Sequence, residues 1–504
     1  MNNSSIDWTK DQRQAPIGLI VFSIETIRHL VRFLWPLLIG IFVSKGNHGE
    51  ANPVKEQLYL YGTIAFVVFV LINSFLSYWF FRFRIENNEL FIKKGYLKKI
   101  HLSIPLERIQ TVNIKQNLIQ RILNLVSVEI DTAGANDTEV KLIAVKRELA
   151  ESLREIIKQD STSSETESPN IEEENSESKT ILALSLSDVI KVGISENHLR
   201  SFAAILGIGY WFYSQIKDFY NIDVDELILD STQSIEHFNI SAFFWFFIVI
   251  FMFLISVLLS FILSFIRFYE LKLSKQEHSF KLSFGLIQTK EITIPKDKIQ
   301  IISWHQNPLR QLLRFETLKI KQATSGDQIK KKQAIEIPAC RLSHQEKIKN
   351  AIFEEVAPDF SEAVKSHWIY FLRNFVFVSL IFILPTVFHW WQDTEYQITL
   401  AIYELFAMVF FYLSYRKRTF RISNSQLEIT KGHISKTIYQ LQNYKIQSVK
   451  FTQNILTKRR ELADITIYTA AGENLKIPYI QEKTAIDLYN FLLYKIESTE
   501  KAWM

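Results

Sequence analysis

The chain has 504 residues, 48% of them apolar, with 39 Phe and a formal net charge of +5. That length leaves room for several domains. The single cysteine, Cys340, excludes an intrachain disulfide framework and any thiolate-cluster metal site.

The apolar residues gather into six blocks, at about 19–43, 58–80, 199–217, 241–266, 368–390 and 396–415. A helix needs about 20 apolar residues to cross a hydrocarbon core of about 30 Å, so the blocks predict six membrane helices in three pairs. In the first block, Glu25, Arg28, His29 and Arg32 crowd the N-terminal half, which reads as interfacial, with the arginines reaching for the headgroups. This block starts too far into the chain for a cleaved signal peptide and lacks a small-residue cleavage site.

The second, fourth and sixth blocks run into Arg82 and Arg84, Arg267, and Arg416-Lys417-Arg418. The opposite turns are acidic, with Asp218, Asp223, Asp225, Glu226, Asp230 and Glu236 in one and Asp393 and Glu395 in another. Positive charge marks the cytoplasmic side. The N-terminus and everything that follows each pair are therefore expected in the cytoplasm. Arg32, Arg200 and Arg373 stand at the start of the odd-numbered blocks, either as anchors to lipid phosphate or as candidates for a specific contact to a neighbouring helix or a lipid headgroup.

After the first pair, strand-like runs alternate with turns: Arg82–Glu86, Leu90–Lys94, Lys98–Ile104, Ile109–Lys115, Ser127–Asp131 and Val140–Ala144. Residues 133–137 read as a hairpin turn. The stretch between Asn117 and Asn124 reads as a short helix or an irregular edge strand. Lys146–Lys158 is predicted to be helical, because Leu149, Leu153, Ile156 and Ile157 recur at helical spacing. A polar, acidic linker at 159–180 should be disordered. Ile181–Val192 then reads as an interfacial amphipathic helix.

One pattern occurs three times. It runs Gly95, Pro105, Arg108-Ile109-Gln110, Gln116-Asn117; then Gly285, Pro295, Lys298-Ile299-Gln300, Gln306-Asn307; then Gly432, Gln442, Lys445-Ile446-Gln447, Gln453-Asn454. Each copy follows an apolar pair and closes with a helical stretch, at about 342–356 and 481–494 in the later copies. The chain is therefore one module repeated. Its parts are a membrane pair (1–80), a β domain (81–158), the linker (159–180), the interfacial segment and second pair (181–266), a second β domain (267–357), a third pair (358–415) and a third β domain (416–498). Strands of this length with one C-terminal helix predict a small barrel or sandwich whose open end the helix covers.

Two helices followed by Ile-Pro-x-x-(Arg/Lys)-Ile-Gln and a later Gln-Asn resemble the bacterial pleckstrin-homology (PH) membrane proteins of the YdbS/YdbT type. Three copies on one chain resemble the longer, YdbT-like members. The match is good at Ile104-Pro105 and Ile294-Pro295, and the third copy departs with Leu441-Gln442. The resemblance implies three PH-like domains, membrane lipids as partners, a small single-module PH-like membrane protein as a further partner, homo- or hetero-oligomers, and a role in resistance to envelope stress. It implies residence in the bacterial inner membrane. Nucleic acid is not among the expected partners.

The repeated glycines are read as positive-φ turns. Gln116-Asn117, Gln306-Asn307 and Gln453-Asn454 read as caps of the segment that follows, or as contacts to a partner backbone. Gln110, Gln300 and Gln447 are candidates for satisfying neighbouring strands or lining a face between domains. Basic clusters stand at Lys93-Lys94, Lys98-Lys99, Lys330–Lys332 and Lys458-Arg459-Arg460, and the last is a candidate headgroup site. No phosphate loop, nucleophile elbow or His-Glu-x-x-His is present, and the histidines lack metal-ligand spacing. The reading is thus a non-enzymatic scaffold or sensor without cofactor or metal. Glu404, an acid deep in a membrane helix, carries the alternative of a small-solute or lipid transporter.

Overall fold

The computed structural model describes residues 8–24, 26–28, 53–132, 140–162, 179–196, 198–220, 240–323, 334–353, 358–385 and 394–499. The first module contains β1 (Gln12–Arg13), α1 (Pro53–Trp79), β2 (Arg82–Glu86), β3 (Glu89–Lys94), β4 (Ile100–Pro105), β5 (Ile109–Gln116), α2 (Leu118–Ile122), β6 (Leu125–Thr132), β7 (Val140–Lys146) and α3 (Arg147–Thr162). The second contains β8 (Lys179–Ala183), α4 (Leu186–Ile194), α5 (His198–Tyr220), α6 (Ile240–Phe268), β9 (Lys272–Lys275), β10 (Ser279–Phe284), β11 (Thr289–Pro295), β12 (Ile299–Gln306), α7 (Pro308–Leu312), β13 (Glu316–Gln322), β14 (Ile335–Cys340) and α8 (Leu342–Ile352). The third contains β15 (Val364–Lys365), α9 (Ile369–Pro385), α10 (Thr394–Lys417), β16 (Thr419–Ile422), β17 (Gln426–Lys431), β18 (Lys436–Gln442), β19 (Ile446–Thr452), α11 (Ile455–Lys458), β20 (Leu462–Thr469), β21 (Asn474–Gln481) and α12 (Glu482–Glu497).

Each β domain is two three-stranded half-sheets packed face to face under its closing helix. In the first, Phe83, Leu90, Ile92 and Ile104 of one half meet Val112, Ile114, Val128, Ile130 and Leu142 of the other, and Ala150, Leu153 and Ile157 of α3 close the end. Alternating side chains along each strand supply that inward face, which is why the period-2 runs located the strands.

The half-sheets do not end at module boundaries. The last half of module one (β7-β6-β5) continues into the first half of module two (β11-β10-β9), and β8 completes a seven-stranded sheet. The last half of module two (β14-β13-β12) continues in the same way into β18-β17-β16 and β15. Module one begins on a four-stranded sheet, β1-β2-β3-β4, and module three ends on a three-stranded one, β19-β20-β21. The three domains are thus strung edge to edge rather than being separate barrels.

A short strand stands before each helix pair and binds the strand that follows it: β1 on β2, β8 on β9, β15 on β16. Both ends of the helical excursion are therefore tied to one sheet. Two sequence expectations differ from the structure. Residues 159–162 belong to helix α3, and Lys179-Thr180 to strand β8, so the linker is shorter than 159–180; residues 163–178 lie outside the described residues. Ile181–Val192 is not one interfacial helix. It opens as strand, turns into α4 at a Ser185 cap, and buries Val189 and Val192 in the protein interior. Val189 and Val192 are buried where α4 packs on α6 and β14, while Leu186, Ile190 and Ile194 stay exposed, so the segment holds an amphipathic helix shorter than expected.

Among the described residues, two helices are long and apolar enough to cross a membrane, Phe246–Phe268 and Gln397–Lys417, where six were expected. Shorter apolar helices occupy Ala65–Trp79, Ser201–Trp211 and Ile369–Ile381. Most of the expected first span, at 29–43, lies outside the described residues. Polar links cross within the pairs. Ser74 Oγ donates to Thr26 Oγ1 (3.3 Å), Ser260 Oγ to Ser201 Oγ (2.7 Å), and Ser379 Oγ to a Glu404 carboxylate oxygen (2.5 Å).

Candidate interaction site

The two junctions between modules are built on the same backbone plan. At the first, β5 and β11 pair antiparallel with Ile114 opposite Glu291. At the second, β12 and β18 pair with Trp304 opposite Ile438. These are equivalent positions of the repeat, so the register is the same at both. The side chains differ. Glu291 accepts from Arg147 Nη2 (2.8 Å) and Arg154 Nη1 (3.2 Å), and Lys281 Nζ lies 3.3 Å away. Burial alone would raise this carboxyl's pKa, but Lys281 and Arg154 hold it below the ordinary range. Asn113 Oδ1 accepts from the Thr293 amide (3.2 Å). At the second junction the Trp304 ring is fully buried, and its Nε1 donates to Gln440 Oε1 (3.0 Å). Gln440 Nε2 donates in turn to Glu428 (2.9 Å). Lys445 Nζ reaches across to the carbonyls of Asp297 (2.6 Å) and Ile299 (2.7 Å). His305 Nδ1 pairs with Thr437 Oγ1 (3.0 Å), and burial, with Arg310 and Lys319 nearby, pushes its pKa down to about 4.

Gln110, Gln300 and Gln447 occupy one place: each is the extra residue of a β-bulge, between Ile109 and Thr111, Ile299 and Ile301, and Ile446 and Ser448. Gln300 is buried, while Gln447 is exposed. Asn117, Asn307 and Asn454 are N-caps, and their Oδ1 atoms accept from the amides of Gln120 (2.8 Å), Arg310 (2.7 Å) and Thr457 (2.8 Å). Gln116 Nε2 and Gln453 Nε2 donate to the carbonyls of Leu125 (2.8 Å) and Leu462 (3.0 Å). Gln306 pairs with Lys436 across the second junction. The Gln-Asn element therefore ends a strand and starts a short helix in each module.

The repeated glycines make the tips of the hairpins β3–β4, β10–β11 and β17–β18. Gly95, Gly285 and Gly432 have φ of +89°, +110° and +147°, and a Cβ would come within 2.1, 2.1 and 1.9 Å of the carbonyl oxygens of Lys98, Gln288 and Ser435. Only glycine fits. These tips rest against the helices that precede them. Tyr96 Oη donates to Asn73 Oδ1 on α1 (2.7 Å). The Leu286 amide donates to the Ile266 carbonyl on α6 (2.9 Å). The His433 ring stacks on Phe410 of α10 with centroids 4.2 Å apart. Next to each glycine stands an exposed apolar side chain: Leu97, Ile287 and Ile434. The short helices add Leu118 and Ile122, Leu309 and Leu312, Ile455 and Leu456, all exposed. Arg121 Nη1 of the first short helix donates to the Leu286 carbonyl of the second tip (3.3 Å), so short helix and next tip share one side of the array.

Among the candidate headgroup ligands, Lys458, Arg459 and Arg460 are exposed on and just after α11. Arg373 is exposed and also has protein partners. Its Nη1 donates to Tyr479 Oη (3.1 Å), and its guanidinium lies 5.0 Å from the Tyr479 ring centroid. Arg418 packs on Tyr370 nearby, with 4.6 Å between guanidinium and ring centroid. Arg200 lies on α5. Arg32 and Lys330–Lys332 lie outside the described residues. Glu404 joins α10 to α9 through Ser379. The sequence reading missed Glu291, Trp304 and Gln440. A signal was present in β12, where Ile299, Ile301, Ile302 and Trp304 break strict alternation, as in a strand buried on both faces.

Tandem sandwich domains of this kind, each tied to a preceding helix pair, define a class of repeat protein. The Bacterial PH domain profile matches residues 36–161, 232–356 and 368–496, one match per module. The chain belongs to the Bacterial PH domain family. It is similar to the UPF0699 transmembrane protein YdbT of Bacillus subtilis (strain 168), with 25% identity over 513 residues, covering 97% of this chain and 99% of the relative.

Proposed function

We propose that this chain is a non-enzymatic scaffold or sensor of the bacterial inner membrane. Six helices in three pairs would hold three PH-like domains against the cytoplasmic leaflet, where they engage lipid and protein partners. The observation that carries this reading is the threefold contact between hairpin tip and helix end. It sets Leu97, Ile287 and Ile434 at the level where apolar helix gives way to soluble domain. Exposed apolar side chains beside Lys98-Lys99 and Lys458–Arg460 suit an anionic interface, where each basic residue gains about 1 kcal/mol. A role in envelope stress accords with that placement.

Spin labels at Leu97→Cys and Ile434→Cys in nanodisc-embedded protein test the reading, since the native Cys340 is buried. Power saturation should place both labels at headgroup depth. Labels as accessible to an aqueous relaxant as one at Lys483→Cys would end it. For the transporter alternative, the Glu404 link to Ser379 supports a role in helix packing. Glu404→Gln keeps a hydrogen-bonding side chain and should leave protein level and lipid engagement unchanged.

A further inference from the structure

The strand order leaves the array with two unlike ends. β5 and β12 each receive the fourth strand of the next module; β19 is the same element of module three, and no strand is paired to that edge among the described residues. β11 and β18 are the strands supplied; β4 is their counterpart in module one, and it is likewise an open edge. The side chains register the difference. At the covered edges Val112 and Ile114 are 5% and 3% exposed, and Ile302 and Trp304 are 1% exposed. Their counterparts Val449 and Phe451 are only half-buried, and Gln447, Ser448, Lys450 and Thr452 between and beside them are exposed. On the supplying side, Glu291 and Gln440 are buried in their junctions. The residues in the same places on β4, His101 and Ser103, are exposed.

We propose that β19 of one chain is completed by β4 of a second copy, head to tail, in the register of the two internal junctions. That register sets Val449 opposite Ser103 and Phe451 opposite His101. The new interface continues one the chain already makes twice, so it needs no unfamiliar geometry. Main-chain hydrogen bonds supply the attachment, as in other strand additions, and burial of Val449 and Phe451 completes what the internal junctions achieve with Val112, Ile114, Ile302 and Trp304. The occupant is a second copy because the chain's own β4 does not lie on its own β19. A copy anchored in the same membrane offers an identical strand at the same height; only this matter of height rests on the membrane placement proposed above. Such an interface is heterologous, and it closes into a ring or runs on as a filament.

Two differently tagged full-length copies, one Val449→Cys and the other Ser103→Cys, test the pairing after co-expression and mild oxidation of the membranes. Opposed residues of an antiparallel pair stand about 4.5–5.5 Å apart at Cα, within disulfide reach, and buried Cys340 does not compete. The expected result is a covalent dimer carrying both tags. It should need both cysteines and be lost when Lys450→Cys replaces Val449→Cys, because a one-residue slip turns the side chain to the other face. Absence of the mixed dimer overturns the proposal. So does a doubly substituted chain that links its own ends and stays monomeric. Native mass spectrometry of the unmodified chain in nanodiscs is the second measurement: dimers or larger species are expected, and monomer alone overturns the inference. Neither outcome bears on the depth of the Leu97 and Ile434 labels.

Discussion

The junction between modules one and two and the junction between modules two and three share a backbone register and almost no side-chain chemistry. The first is held by a carboxylate among Arg147, Arg154 and Lys281. The second is held by a buried indole, a glutamine relay and a lysine seated on two carbonyls. Strand pairing fixes where the modules meet, and the side chains across the seam differ, ion pairs at the first and a buried indole with hydrogen bonds at the second, without moving it. Register here is a property of the repeat, and the adhesive is a property of each copy.

The largest expected effect separates the two seams. Trp304→Ala removes a fully buried side chain and should cost about 3–5 kcal/mol. Hydrogen exchange should rise in β12, β13 and β18 while β5 and β11 keep their protection; equal loss at both seams would show that the three modules unfold as one unit. Glu291→Gln should cost less, about 1.5–3 kcal/mol, the range for hydrogen bonds to charged groups, and loosen β5 and β11 instead.

Acid should distinguish the seams without mutation. His305 is neutral in the fold and takes up its proton near pH 4, against 6.5 for the ordinary side chain. As pH falls from 6.5 towards 4 the unfolded chain binds the extra proton first, so stability at the second seam declines across that window. Glu291 has the opposite logic. Its folded pKa lies below the ordinary 4.5, so its contribution is complete at neutral pH and fades only as pH drops below that value. At pH 5, exchange should therefore quicken in β12 and β18 ahead of β5 and β11. His305→Gln should abolish the difference, and an unchanged order after that substitution would assign the effect to another group.

The smallest effects should come from the caps. Asn117→Ala, Asn307→Ala and Asn454→Ala each remove one cap hydrogen bond and should cost about 0.5–2 kcal/mol. Asn307→Ala should be the costliest, because Asn307 Nδ2 also donates to the Ser195 carbonyl (2.7 Å). Thermal melts of the three variants in one detergent would rank them.

Much of the module could be read from the residues. Arg82–Glu86 is a strand with the expected ends, the three glycines have positive φ, and the three asparagines cap. These features are local: a turn, a cap or an alternating run is decided by neighbours in sequence. The partner of an edge is not local. Alternation in Ile109–Gln116 says which side chains face inward and nothing about which strand lies alongside, so the seven-stranded sheets were invisible, and Gln300 could be read as a strand residue for a neighbouring strand or an inter-domain face without its burial being fixed. The two-residue strands Gln12–Arg13 and Val364–Lys365 are too short to carry any period. Among the candidate contacts, Arg373 stays exposed at its helix start, and its bond to Tyr479, more than a hundred residues away in sequence, could not be read from its neighbours.

The staggered sheets also set an order of events during synthesis. β5 emerges from the ribosome long before β11, because the helix pair α5 and α6 is made between them. At bacterial translation rates of about 5–20 residues per second that gap lasts roughly ten to forty seconds. For that time the nascent first module has an apolar strand with an unfilled flank, and the same wait recurs between β12 and β18. The first two domains are finished only when the next one starts, so maturation is sequential, and a pause in synthesis between β5 and β11 or between β12 and β18 leaves the preceding domain incomplete.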